Sequence, residues 1–291
     1  RSSDLLKKIL NRLVVLLLFF SCSLKALSQG SDTLKILSWN IHMLPGTIYH
    51  ATKKGKRANL IAEQILNRDD DVVVFQEAFH FRTRRMLKNK LKGRFTYVFK
   101  PINFSFFSFK TNGGVWVLSK LKLEEKAVIK FDSASGSSRW ARKGAVLLEG
   151  SIGKSCFQIV GTHTNGGSVN NSQFNQIRKE LLTPFEKNPV PQIICGDLNC
   201  ASSKTNLYEE MLAILAAKDL PRERGFQYSN HEKTAVIDYI LLKTNGSDVK
   251  ELNKKIILIG NDWKVGKRKY PETVGLSDHM PVESSYVFIN N

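Results

Sequence analysis

The run Ile193-Ile194-Cys195-Gly196-Asp197-Leu198-Asn199 sets a carboxylate and a carboxamide two positions apart, directly behind β-branched apolar residues. It reads as a buried strand that breaks at Gly196 into a loop. On extended chain, side chains at i and i+2 point to the same side of the backbone. Asp197 and Asn199 therefore form an acceptor and a donor that together can hold a metal-bound or phosphate oxygen. An Asx turn closing a strand would use the same two residues, and this stretch alone leaves both readings open. Other apolar runs end in the same way: residues 34–39 lead into Asn40, residues 72–76 into Glu77, and residues 157–162 into His163. Near the C-terminus, Asp278 and His279 stand just ahead of a last strand pattern. Ligand sites in α/β sheets gather at strand ends, and here five ends supply matched polar groups.

The elements that must position these groups follow from apolar periodicity. The strand at 34–39, a helix from Arg57 and the strand at 72–76 form a strand–helix–strand unit. Residues 82–94 read as an amphipathic surface helix with a basic outer face, and 95–99 as a strand. Strands at 115–119, 122–131, 144–150 and 156–162, joined by short turns, read as one antiparallel meander. A helix over 172–185, the strand at 192–196, a helix over 207–217, and strands at 235–242, 253–259 and 282–289 complete the chain, with 262–272 a basic loop. No repeat, low-complexity tract or linker interrupts it, so one domain is expected.

Residues 1–28 stand apart. Lys7, Lys8 and Arg12 precede an apolar run from Leu13 to Phe20, and Ala26-Leu27-Ser28 offers small residues where a signal peptidase reads. These are the parts of a secretory signal peptide, and the run is short of the ~20 residues that span a bilayer. The reading is a signal peptide over 1–28, a catalytic domain over 29–291, and a secreted or periplasmic protein. Residues 1–28 carry five cations and one acid, so the net charge of +18 falls to +14 without them. A chain this basic meets nucleic acid, an anionic membrane surface or neither. Cys156, Cys195 and Cys200 match no disulfide framework or zinc spacing. Cys156 and Cys195 lie in strand runs and read as small buried hydrophobes.

Phe104-Ser105-Phe106-Phe107-Ser108-Phe109 places four phenylalanines between turn signals, Pro101 before and Asn112-Gly113-Gly114 after. Such a run is either a buried strand pair or an exposed apolar patch.

Taken in order, Ser38-Trp39-Asn40, Gln76-Glu77, Gly161-Thr162-His163, Gly196-Asp197-Leu198-Asn199, Ile237-Asp238-Tyr239-Ile240 and Ser277-Asp278-His279-Pro281 resemble the endonuclease/exonuclease/phosphatase superfamily of metal-dependent phosphodiesterases. The resemblance covers essentially the whole chain after residue 28. It implies a deoxyribonuclease-like α/β fold: a four-layer sandwich of two mixed β-sheets flanked by helices. Met43-Leu44-Pro45 after Asn40, the Asn112-Gly113-Gly114-Val115 turn and Lys143-Gly144 are similar to the secreted bacterial neutral sphingomyelinases. Two departures stand out. The usual histidine-leucine-glutamine reads His163-Thr164-Asn165, and Ser137, Ser138 and Arg139 occupy positions where that branch has an acid before Lys143-Gly144.

The resemblance implies these roles. Asn40 and Glu77 hold a hard divalent ion, most simply Mg²⁺ with other divalent ions also suited. His279 is the general base, with Asp278 beside it to fix its tautomer or setting. Asp197 holds the attacking water or assists the leaving group, and Asn199 bonds a phosphoryl oxygen. His163 contacts the phosphate as charge develops, held by Asp238. The implied reaction is sphingomyelin to ceramide and phosphocholine, with peripheral membrane contact through Phe104, Phe106, Phe107 and Phe109. A secreted nuclease, which the charge favours, and a catalytically inactive membrane-binding relative are the alternatives. His42, His50, His80 and His231 have no comparable partners in sequence and receive no role.

Overall fold

The computed structural model describes residues 32–45, 53–105, 110–223, 226–230, 232–259, 264–265, 268–269 and 276–289. The segment read as a signal peptide, Phe106, Phe107 and Phe109, and most of the basic 262–272 loop lie outside them. Residues from Thr33 onward form one compact unit.

Its strands are β1 (Thr33–Asn40), β2 (Val72–Gln76), β3 (Tyr97–Val98), β4 (Trp116–Ser119), β5 (Leu123–Lys130), β6 (Gly144–Ile152), β7 (Ser155–His163), β8 (Gln192–Asp197), β9 (Asp238–Lys243), β10 (Val249–Ile256), the short pair β11 (Lys264–Val265) and β12 (Arg268–Lys269), and β13 (Val282–Phe288). The helices are α1 (Lys54–Leu66), α2 (Phe81–Leu91), α3 (Asn170–Ile177) and α4 (Thr205–Leu215). One sheet runs β10-β13-β1-β2-β4-β3 and the other β5-β6-β7-β8-β9. Both are mixed, as the resemblance implied. Each contains a parallel pair: β1 beside β2, with Asn40 opposite Gln76, and β7 beside β8, with His163 opposite Asp197.

Strand alternation decides what lies between the sheets. In β1, Leu34 and Ile36 join the core shared with the second sheet, while Leu37 and Trp39 pack with Ile61 and Ile65 of α1 and Leu87 of α2. The α1 residues Ala58, Ile61, Ala62 and Ile65 are buried at helical spacing, whereas Leu66, the last residue of the helix, is 42% exposed. Phe174 and Ile177 of α3 and Met211 and Leu215 of α4 join the core through the second sheet. Gly161 and Gly196 let strands approach closely. A Cβ on Gly161 would sit 3.1 Å from Val74 Cγ1, and one on Gly196 only 2.0 Å from the Thr162 carbonyl oxygen.

The structure corrects four local readings. The strand at 115–119 is not part of the meander: β4 pairs antiparallel with β2 in the other sheet, because Val72, Val74 and Val117 share the inter-sheet core. The helix expected to reach residue 185 leaves α geometry at Arg178 and continues as a wider turn, closed by Thr183 N–H donating to the Arg178 carbonyl at 2.9 Å. The strand expected at 253–259 runs Val249–Ile256, with a register shift between Glu251 and Asn253. Cys156 lies near the start of β7 and is exposed rather than buried.

Candidate active site

The C-terminal ends of the two parallel pairs face each other across the sandwich. Ser38 and Asn40 continue the inter-sheet face of β1, and Asp197 continues that of β8 after Ile193 and Cys195. The two ends meet where Asn40 Nδ2 donates to Asp197 Oδ2 at 3.0 Å. Asp197 Oδ2 also lies 3.3 Å from His163 Nε2 and 3.8 Å from His279 Nε2. Its other oxygen accepts from the Asn199 backbone N–H at 3.0 Å. Residues 157 positions apart in sequence thus share one buried carboxylate.

Burial and the neighbouring Asp238 carboxylate push the Asp197 pKa up to about 7, with His279 and Lys143 opposing. His279 has the opposite balance. Burial disfavours its imidazolium, but Asp238 and Asp197 together hold the pKa well above the ordinary histidine value. Its Nδ1 hydrogen-bonds Asp238 Oδ2 at 2.9 Å, and Trp39 Nε1–H donates to its carbonyl at 3.0 Å. The Asp238 backbone N–H donates to Ser229 Oγ at 3.0 Å. Asp238 was expected to hold His163; it holds His279 instead. The physical reason is register: antiparallel β8 and β9 set Asp238 opposite Asp197, beside the loop that carries His279.

Asp278 also departs from expectation. It bonds His42 Nδ1 at 2.9 Å and accepts from Ser277 Oγ at 3.1 Å, and it does not hold the imidazole of the adjacent His279. Burial works against its charge, but the bond to His42 and that residue's charge hold its carboxyl well below the usual range. His42 is opposed by burial and supported by Asp278 and Glu77, which raise its pKa to about 9.

His163 is buried and faces Lys143, whose Nζ lies 2.8 Å from His163 Nε2 and donates to the Thr164 carbonyl at 3.0 Å. Burial first, then the charges of Lys143 and His279, hold the His163 pKa well below its ordinary value, so the ring is neutral. Burial also lowers the Lys143 pKa, against Asp197 and Glu77. Asn199 directs one amide hydrogen to the Thr164 carbonyl at 3.0 Å, which leaves the second for another acceptor.

Sequence reasoning gave no role to His42 or Lys143, yet both touch this cluster. His42 stands two residues after Asn40, the spacing that singled out Asp197 and Asn199. Lys143-Gly144 had already been noticed as a pair without being assigned to the site.

Two sets of residues could hold a divalent ion. Asp197, Asp238 and His279 present ligand atoms within 4.8 Å of one another, but Asp238 and His279 already engage each other directly. Glu77 fits better. Its Oε2 is buried without a hydrogen bond, with His42 Nδ1 3.4 Å away as an ion-pair partner. A buried carboxylate oxygen calls for positive charge, which the raised pKa of His42 supplies in part and a divalent ion would reinforce. Among the described residues, Asn40 Oδ1 accepts only the His42 backbone N–H at 3.1 Å, which keeps a lone pair for a hard cation.

The profile of the Endonuclease/Exonuclease/phosphatase family matches residues 37–279. The chain is 29% identical to Sphingomyelinase C 2 of Leptospira interrogans across 72% of its own length; that match spans 37% of the Leptospira protein. It is 26% identical to a phospholipase C of Staphylococcus aureus, across 90% of each chain. A beta toxin variant of Staphylococcus aureus, crystallised with bound magnesium ions, superposes with a TM-score of 0.74 at 23% identity, covering 86% of this chain and 98% of that one. With the matched span running from the end of β1 to His279 itself, the chain belongs to the endonuclease/exonuclease/phosphatase family, a family of metal-dependent phosphodiesterases.

Proposed function

We propose that this chain hydrolyses the phosphodiester of sphingomyelin, releasing ceramide and phosphocholine, as a secreted Mg²⁺-dependent enzyme of the phospholipase C type. The observation that carries the reading is the meeting of Asn40, His163 and His279 at one buried Asp197. Similarity to a sphingomyelinase C and a phospholipase C supports the choice of substrate.

Glu77 and Asn40 would hold Mg²⁺, whose charge polarises a phosphoryl oxygen and stabilises the leaving oxygen. Asp238 accepts the Nδ1 hydrogen of His279 and so leaves Nε2 to take a proton from the attacking water. As the water oxygen bonds phosphorus, the bond from phosphorus to the ceramide oxygen breaks. Asp197, 3.8 Å from Nε2, orients the water or assists the leaving oxygen. Lys143, His163 and the second amide hydrogen of Asn199 would meet the charge that develops on the phosphoryl oxygens.

Residues 1–28 would act as an export signal for a catalytic domain over 29–291. No helix among the described residues is long and apolar enough to cross a membrane, and peripheral contact through Phe104 and its neighbours is the proposed mode of approach. Purified protein incubated in parallel with sphingomyelin, phosphatidylcholine and DNA, with and without Mg²⁺, tests the reading. Ceramide release that requires Mg²⁺ is the expected result. DNA cleavage without ceramide release would transfer the chain to the nuclease reading that its net charge of +18 favours.

A further inference from the structure

Next to the catalytic cluster lies a cavity of about 700 Å³ lined mainly by Lys110, Lys130, Asp132, Arg139, Arg142 and Lys143. It opens between the β5–β6 connection and the segment around Asn103 and Thr111. Its walls are tied in place. Phe131 N–H donates to the Lys143 carbonyl at 2.9 Å, and Thr111 N–H to the Trp140 carbonyl at 3.0 Å. Asn103 Nδ2 donates to the Arg142 carbonyl at 2.9 Å, and α3 holds the Ser133 carbonyl through Gln173 Nε2 at 2.7 Å. Lys143 is common to the cavity and to the His163 contact, so the cavity adjoins the reacting centre.

Five cationic side chains and a single carboxylate line it. Among the described residues, Lys130, Arg139 and Arg142 have no ion-pair partner. Such a lining is complementary to a phosphate anion. The rim identifies where that anion comes from. Trp140, between the lining residues Arg139 and Ala141, is 72% exposed, and Phe104, beside the lining Ser105, is 45% exposed. Aromatic side chains exposed beside a basic hollow belong at a lipid–water interface.

We infer that this cavity binds the phosphate of an anionic phospholipid neighbouring the substrate in the bilayer, and that it thereby seats the enzyme with its catalytic end against the membrane. The inference rests on the lipid phosphodiesterase reading and adds a second lipid to it. A half-open hollow of this size takes one headgroup, whereas a nucleic acid needs a continuous basic track.

Flotation of the full chain with phosphatidylcholine vesicles, with and without a minor fraction of phosphatidylglycerol, reads binding apart from turnover. The anionic lipid should tighten binding, and Arg139→Gln with Arg142→Gln should remove most of the gain, about thirtyfold for two cations at an anionic surface. The pair Lys88→Gln and Lys92→Gln removes equal charge from outside the cavity and should leave the gain intact. Turnover of a water-soluble phosphocholine ester should be unchanged in both double variants, which also reports their folding. Four outcomes would overturn the inference: no gain with phosphatidylglycerol, equal losses in both variants, protection by inorganic phosphate without any vesicle effect, or an oligonucleotide preferred over the anionic vesicles. Vesicle binding that behaves as expected without any sphingomyelin hydrolysis would instead refute the proposed function and leave the cavity assignment standing.

Discussion

Glu77 leaves β2 with a φ of 53°, and His42 and Asn199 adopt 48° each. Left-handed backbone costs a non-glycine residue roughly 1 kcal/mol or more, and at three positions of one site that cost marks residues held by their surroundings. If Glu77 is the acidic ligand, Glu77→Gln should weaken Mg²⁺ binding by at least about tenfold, with folding retained. Isothermal titration calorimetry measures this directly, and parent affinity in the variant would remove Glu77 from the metal site. The His279 pair gives a prediction in pH. Asp238 raises the His279 pKa against burial; in the proposed mechanism His279 must be neutral to accept a proton, so kcat/KM should rise with pH as His279 deprotonates. Asp238→Asn removes the raising charge. The acidic limb should therefore move to lower pH, while the plateau falls by roughly 10²-fold or more because the tautomer is no longer held. A limb that stays in place would show that another group sets the profile.

At the scale of elements, two parallel pairs place their carboxyl ends together, and the loops leaving those ends have to be kept there. Arg57 of α1 does much of this. It is almost completely buried, and it donates to the carbonyls of Ile41 at 2.6 Å, His42 at 3.0 Å and Leu276 at 2.8 Å. One guanidinium thus ties the loop after Asn40 to the loop before His279. Ser277 Oγ, donating to the Asn40 carbonyl at 2.6 Å, is a second tie. Arg57→Met keeps most of the volume and leaves three carbonyls without their donor, at about 1 kcal/mol each. The Tm should fall by about 6–12 °C for a domain of this size, with weaker Mg²⁺ binding because Asn40 is less well placed. An unchanged Tm in differential scanning calorimetry would mean that the loops hold themselves.

At the scale of the molecule, the candidate site, the basic cavity and the exposed Trp140 are linked through the β5–β6 connection, residues 131–143. On the proposed function, the site has to reach the bilayer before chemistry begins, and a zwitterionic surface attracts a basic protein weakly. Apolar insertion then supplies the adhesion, at roughly 1.5–3 kcal/mol for each large side chain fully buried, less the cost of ordering it. Phe104→Ser with Trp140→Ser should lower hydrolysis of sphingomyelin vesicles by about tenfold or more and spare a water-soluble phosphocholine ester. Equal losses on both substrates, with a lower Tm, would show instead that these rings support the fold.

What the sequence determined by itself was local. Apolar runs that lead into Asn40, Glu77, His163 and Asp197 predict strands and the polar groups at their ends, because side-chain alternation is a property of a few neighbouring residues; the break expected at Gly196 is not there, since β8 stays paired on both sides through Gly196 to Asp197. The order of those ends was enough to identify the family and its two-sheet fold. Partnership was decided only by the tertiary structure. Asp278 and His279 are adjacent in sequence, but they lie in the bend ahead of β13, where Asp278 turns to His42 while His279 turns to Asp238, 41 residues away. The same holds for β4, whose pattern suits either sheet and whose place beside β2 follows from which apolar face it can bury. Lys143 shows the limit most plainly. Its charge was visible in the sequence, but the burial that lowers its pKa and its contact with His163 exist only where β6 and β7 lie side by side.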